Sequence, residues 1–322
     1  MMIRVSAGTA GVLGLARVPM DVAPTTAYLM VGGRCAVNCF FCAQARESLA
    51  DEQALSRVTW PEYLLGDVCA RMRRAELHGE LVRCCLQVTA SRDHVAHALE
   101  VVHSIRASTS LPLDVAILPA SLGQVEELVA AGVDHIGFGL DAASERVFRR
   151  VKGTHWQRML SLVEGTAGRF PGHAAIHLIV GLGETEEETV LRALWARDLG
   201  VKVGLFAFTP LRGTALAEAS PPSLGQYRRM QTALWLISEH GAGYGHFEFG
   251  DFQSRPGSLV QIAFPDWLRL LADGRAFETS GCPGCNRPFY NERPGGPMYN
   301  FARTLSQMEI QEAISALGFG GG

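Results

Sequence analysis

Three cysteines stand within eight residues, Cys35, Cys39 and Cys42, in the run Gly32-Gly-Arg-Cys-Ala-Val-Asn-Cys-Phe-Phe-Cys-Ala-Gln-Ala-Arg46. Three thiolates this close can face one [4Fe-4S] cluster and leave its fourth iron without a protein ligand. Such a site binds a substrate or cofactor to iron rather than merely storing an electron. Zinc is the other chemistry open to thiols, but zinc motifs usually pair C-x2-C with a second ligand pair some distance away. Here the cysteines crowd together and no histidine lies near. Five more remain: Cys69, Cys84, Cys85, Cys282 and Cys285. Pro283-Gly284 between Cys282 and Cys285 gives a tight turn that lets both thiols point at one metal. With Cys84 or Cys85 they make three ligands for an auxiliary Fe–S cluster, again [4Fe-4S]; a local zinc knuckle and a redox dithiol are the alternatives. Cys69 falls in an apparent helix and reads as a buried small hydrophobe.

The elements that must position these groups follow from periodicity. Short apolar runs alternate with longer stretches of helical period, the pattern of β/α units around a parallel sheet. Strands are expected at 26–31, 82–88, 114–118, 135–140, 174–180, 203–208, 244–249 and 259–264. Eight of them make an α/β fold, a (β/α)8 barrel with an irregular C-terminal extension. A capping box at Thr185-Glu-Glu-Glu188 predicts a helix to Leu199 ending at Gly200. Another helix is expected over Ser121–Ala131, and a long amphipathic one over Ser223–His240. The first triad follows the first strand, at the C-terminal mouth where barrel active sites sit. The organisation expected is a lead-in over 1–25, the barrel over 26–272, and an extension over 273–322 carrying the C-x2-C and a terminal helix at Thr304–Leu317.

At 322 residues and 48% hydrophobic composition the chain can bury a large core. A net charge of −3 gives no case for nucleic acid or an anionic membrane as partner. Only two of its 29 basic residues are lysines, Lys152 and Lys202, which reads as genome composition. With no export signal and no apolar stretch of spanning length, a cytoplasmic protein is expected. In a reducing compartment, eight cysteines point to metal ligation more than to disulfides.

The triad spacing, with the aromatic Phe41 before its last cysteine, resembles the radical S-adenosylmethionine (SAM) enzymes. That resemblance implies SAM chelated to the open iron and cleaved by one electron to a 5′-deoxyadenosyl radical, with a ferredoxin or flavodoxin as electron donor. Ile136-Gly-Phe-Gly-Leu-Asp141 is similar to the fourth strand of biotin synthase and implies that Asp141 binds the ribose; the other role open to it is helix N-cap. His177-Leu-Ile179-Val-Gly181-Leu-Gly183-Glu184 resembles the fifth-strand motif that lines the adenine, with Phe208 presenting backbone to the same base. Gln87, Thr89 and Ser91 are either contacts to the methionine moiety or plain strand-end polar residues. Biotin synthase also needs thiolates on its third and fifth strands, and here Asp-Val-Ala-Ile-Leu and Ala-Ala-Ile-His-Leu offer none. The tail Cys-Pro-Gly-Cys-Asn-Arg-Pro-Phe-Tyr-Asn-Glu-Arg-Pro instead resembles the two-protein type of lipoyl synthase. That resemblance implies sulfur insertion into an octanoyl chain on a carrier protein or lipoyl domain, with a second radical SAM protein as partner. Arg287 or Arg293 would touch the auxiliary cluster or the carrier, or make surface ion pairs. The other readings are a biotin-synthase-like enzyme forming another C–S or C–C bond, and a metal-stabilised binding barrel with no catalysis.

Overall fold

The computed structural model describes residues 1–153, 155–252, 255–292 and 295–319. The chain opens with β1 (Met2–Val5) and α1 (Ala7–Val12) and then forms β2 (Thr26–Val31). The short β3 (Ala54–Leu55), β4 (Val58–Thr59) and β5 (Glu62–Leu64) come next. Strand and helix then alternate: α2 (Leu65–Leu77), β6 (Arg83–Val88), α3 (His94–Arg106), β7 (Leu113–Ala116), α4 (Leu122–Ala130), β8 (His135–Asp141), α5 (Glu145–Val151) and α6 (Trp156–Arg169). They continue with β9 (Ala174–Val180), α7 (Glu186–Asp198), β10 (Lys202–Ala207) and α8 (Leu224–His240), before β11 (Phe247–Phe252), β12 (Arg255–Ile262) and α9 (Gln307–Ser315).

The fold is α/β, with a large parallel sheet of (β/α)8-barrel type. The eight-stranded sheet has the order β10-β9-β8-β7-β6-β2-β1-β5. Its parallel part runs from β2 to β10 in the register Ala27↔Cys84, Cys85↔Asp114, Ala116↔Gly137, Phe138↔Ile176 and Leu178↔Leu205. The helix-facing residues of the strands, among them Leu29, Cys84, Leu86, Val115, Phe138, Ile176 and Leu205, are buried in one hydrophobic core. The alternate residues line a central cavity.

The first six expected strands are these parallel members. The last two differ: residues of 244–249 and 259–264 lie in β11 and β12, which pair with each other, antiparallel, as a separate sheet (Phe247↔Ile262, Phe249↔Leu259). The reason is chain length. A parallel crossover needs about a dozen residues or more, and far fewer separate these two strands. This hairpin packs outside on α7, where Leu259 N–H donates to Glu186 at 2.8 Å.

The helix signals translate directly. Thr185 and Glu188 form the reciprocal capping box of α7, and Ser121 and Ser223 cap α4 and α8. The extension's Phe277, Phe301, Leu305, Ile310 and Leu317 form a small core of their own with Leu271 just before it. Buried Arg228 of α8 anchors it, donating to the carbonyls of Met298 and Tyr299 at 2.5 Å each, beneath the rings of Phe277 and Phe301. Among the described residues, no helix is long and apolar enough to cross a membrane.

Candidate functional site

The loop after β2 carries the first triad, and buried polar side chains hold it. Arg4 donates to Gln44 Oε1 at 3.1 Å, to the carbonyl of Glu52 at 2.8 Å and to that of Gly32. Gln44 in turn donates to the carbonyls of Glu52 and Ala54, and Arg34 to those of Ala43 and Ala50. Gly32 makes the turn at φ +95°, where an added Cβ would lie 2.3 Å from Thr89 Oγ1. Only glycine fits there. Cys35, Cys39 and Cys42 all open into the central cavity, a space of about 530 Å³.

The second cysteine group lies inside the barrel. Residues 280–291 run along the free edge of β10: Leu205 N–H donates to Ser280 Oγ at 2.9 Å, and Asn291 Nδ2 to Thr209 Oγ1 at 3.1 Å. Gly281 lies against this strand, an added Cβ standing 3.2 Å from Gly204 Cα. On the other side Asn286 accepts from Thr25 N–H at 3.0 Å, and Arg83 donates to Pro283 O at 3.0 Å. Cys282 and Cys285 thereby face the cavity beside Cys85 of β6. Cys84 points the other way, fully buried in the helix layer with Cys69. The strand's alternation therefore makes Cys85 the third candidate ligand and removes Cys84 from the site.

Burial pushes the thiols up: Cys39 to about 11, and Cys42 and Cys282 to about 12. The Cys85 thiol is likewise raised by burial, with Asp114, Cys282 and Cys285 adding to it. Bare thiolates are thus disfavoured at both groups, whereas iron removes the proton and spreads the charge. The donor sets fit two clusters. At Cys282, burial opposes the low-pKa thiolate on which a redox dithiol depends.

Under the second group lies a charged floor. Arg83 makes a two-pronged ion pair with Asp114 at 2.8 and 2.9 Å, His135 Nδ1 lies 2.6 Å from the same carboxylate, and Lys202 Nζ lies 2.7 Å from His135 Nε2. Burial raises the Asp114 pKa, but His135 and Arg83 outweigh it and hold the carboxyl below its usual range. Asp114, His135 and Cys282 offer ligand atoms within 4.8 Å of one another. Two cations already share that carboxylate and imidazole, so the cluster reads as a floor.

At the mouth, Asp141 ends β8 at φ +62° and pairs with Lys152, which also donates to the carbonyl of Gly139. Burial works against charge on Lys152, yet Asp141 and the nearby thiols keep its pKa above the usual lysine value. Helix α5 starts after the N-cap Ser144, so Asp141 does not cap it. Ile179 and Phe208 line the cavity beside Asp141. Gln87 also lines it, but its amide donates to Cys85 Sγ at 3.0 Å. Thr89 lies outside the lining, its hydroxyl given to Val31 O at 3.3 Å. Ser91 lies behind the lining as well, its carbonyl 2.6 Å from His94 Nδ1. Gly181 and Glu184 stand back from the cavity too. Gly181 N–H donates to Glu184 at 2.6 Å, and burial raises that carboxyl's pKa. Arg287 lies inside, its guanidinium 3.8 Å from the centre of the Phe206 ring. Arg293 falls outside the described residues.

Sequence reasoning missed Tyr28, Lys152, His177 and Tyr290, all of which line the cavity. For two of them a signal existed. His177 stands two residues before Ile179, the residue expected at the adenine, and so shares its face of β9. Lysine is so scarce here that the two present mark special positions; both are inside the barrel, one at the mouth and one in the floor.

The profile of the Radical SAM superfamily matches residues 29–194, more than half of the chain. The biotin synthase of Clostridium acetobutylicum is 26% identical over 194 residues, 59% of this chain and 58% of its own length. That of Anaeromyxobacter sp. (strain Fw109-5) is 29% identical over 273 residues, 74% of this chain and 72% of its own. The chain thus spans less than two thirds of the first of these relatives. Among solved structures, the FeFe-hydrogenase maturase HydG from Carboxydothermus hydrogenoformans has a TM-score of 0.52 at 17% identity, over 68% of this chain and 52% of that one. This last likeness is one of fold.

Proposed function

Because this chain belongs to the radical SAM superfamily, we propose that it inserts sulfur into an octanoyl chain held on a carrier domain, as one component of a two-protein lipoyl synthase. The observation that carries the reading is that two groups of three cysteines open into one cavity. When bound, a cluster with SAM at the first group supplies a 5′-deoxyadenosyl radical, and a cluster at the second supplies sulfur.

The residues divide this work. Cys35, Cys39 and Cys42 hold the first cluster, with Asp141 on the ribose and Ile179 and Phe208 beside the adenine. Lys152 fixes the Asp141 carboxylate. Cys85, Cys282 and Cys285 hold the second cluster, with Arg287 parked beside them. In the same cavity, Ala116, Ile117, Leu118, Met159 and Leu162 present an apolar lining that suits a methylene chain and excludes water. A ferredoxin or flavodoxin delivers the electron, and a second radical SAM protein completes the pair of insertions.

Anaerobic incubation of the iron-reconstituted protein with SAM, reductant and an octanoyl-lysine peptide tests this. The expected result is 5′-deoxyadenosine together with a thiolated peptide. Turnover of SAM with no thiolated peptide, alone or with a partner protein, would sink the octanoyl reading. The likeness to biotin synthases favours a second one, a related enzyme forming another C–S or C–C bond. Against the biotin reaction itself, β7 and β9 present Asp114, Ala116 and His177 to the cavity where thiolates would be required.

A further inference from the structure

We propose that Tyr28 and Gln87 tune the interior cluster, raising its reduction potential through hydrogen bonds to two of its ligand sulfurs. The inference rests on the reading that Cys85, Cys282 and Cys285 hold that cluster. Tyr28 Oη lies 3.0 Å from the backbone nitrogen of Arg287 and 3.1 Å from Cys285 Sγ. A backbone N–H can only donate, so the phenol oxygen accepts from Arg287. A ligand thiolate carries no hydrogen, so toward Cys285 the phenol O–H is the donor. Gln87 Nε2 lies 3.0 Å from Cys85 Sγ, and toward a thiolate ligand only the amide N–H of that side chain is complementary.

Both donors come from the inward faces of neighbouring parallel strands, β2 and β6, and both sit in a water-poor interior where such bonds are strengthened. A hydrogen bond to a cluster ligand withdraws electron density from sulfur and stabilises the reduced, more negative state. At the mouth the surroundings differ: it is the backbone N–H of Gln44 that faces the Cys42 sulfur. The asymmetry suits the proposed chemistry. A carbon radical taking sulfur from the interior cluster would form one C–S bond and leave one electron on the cluster's iron. A more easily reduced interior site favours that transfer, and the electron needed for SAM cleavage comes separately from the external reductant.

The test is an EPR-monitored redox titration of the full-length, anaerobically reconstituted protein, comparing wild type with Tyr28→Phe and Gln87→Met. Each variant is expected to lower the reduced-to-oxidised ratio of the interior cluster about tenfold at a fixed potential, a midpoint about 59 mV more negative for a one-electron couple. The triad cluster's midpoint should stay in place. Unchanged interior midpoints in variants that keep both clusters would overturn the proposal while leaving the two-cluster reading intact. Loss of interior iron from both variants would make the two residues structural props and overturn it as well. Iron analysis separates the premise: a wild-type protein with roughly four irons, rather than roughly eight, would remove the two-cluster reading and this inference together.

Discussion

The two cysteine groups are built on opposite principles. The triad lies in one loop, so its spacing is local and survives any small change in the barrel, provided Arg4, Arg34 and Gln44 keep the loop pinned. The interior group joins one strand to a tail nearly two hundred residues later, and exists only while β6, the β10 edge and residues 280–291 stay docked. Local spacing suits a site whose geometry is common to many chemistries. A site assembled across the fold can be retuned by any of its walls, and its sulfurs here are touched by side chains rather than by backbone alone.

Removing one group at a time breaks this comparison most strongly. Cys39→Ala should abolish 5′-deoxyadenosine formation and lower bound iron by about half. Cys282→Ala/Cys285→Ala should also lose about half the iron, with 5′-deoxyadenosine still formed and thiolated product absent. If that double variant keeps all its iron, the tail is not a ligand set. A smaller effect reports how dry the interior is. Burial lowers the His177 pKa from 6.5 to about 4, so the folded protein refuses a proton that the unfolded chain accepts. Stability should therefore be intact above pH 6.5 and fall by about 3 kcal/mol toward pH 4, before other groups contribute. Urea midpoints of the metal-free protein at several pH values, against His177→Asn, would show it; equal acid sensitivity of the two would rule it out.

The smallest effect sharpens the choice between adjacent cysteines. Cys85→Ala should lose the interior iron. Cys84→Ala should keep roughly eight irons and cost about 1 kcal/mol from the space left in the helix layer. Reversed results would mean that β6 is out of register by one residue.

Much of this was legible in the chain. The triad could be read because its ligands are neighbours, and the six parallel strands because each is an apolar run followed by a stretch of helical period. The adjacent Cys84 and Cys85 could not be separated from sequence, since they lie on opposite faces of the strand and nothing in the chain says which face looks into the cavity. The hairpin was misassigned to the barrel because its residues have strand chemistry, and only the short connection rules out parallel pairing. Tyr28 and Tyr290 looked like ordinary aromatic residues, their importance coming from a tail whose path no periodicity encodes. Gln87 and Thr89 look alike at a strand end, yet alternation turns one toward Cys85 and the other toward Val31.

The docking of Asn286 against Thr25 also orders the assembly of the two cysteine groups. During synthesis, all six parallel strands and the triad leave the ribosome before Cys282 and Cys285 exist. A product truncated anywhere in between keeps the thiols for making a radical and lacks two of the three that would receive its consequence. The interior group can therefore form only after the strands that surround it have been made.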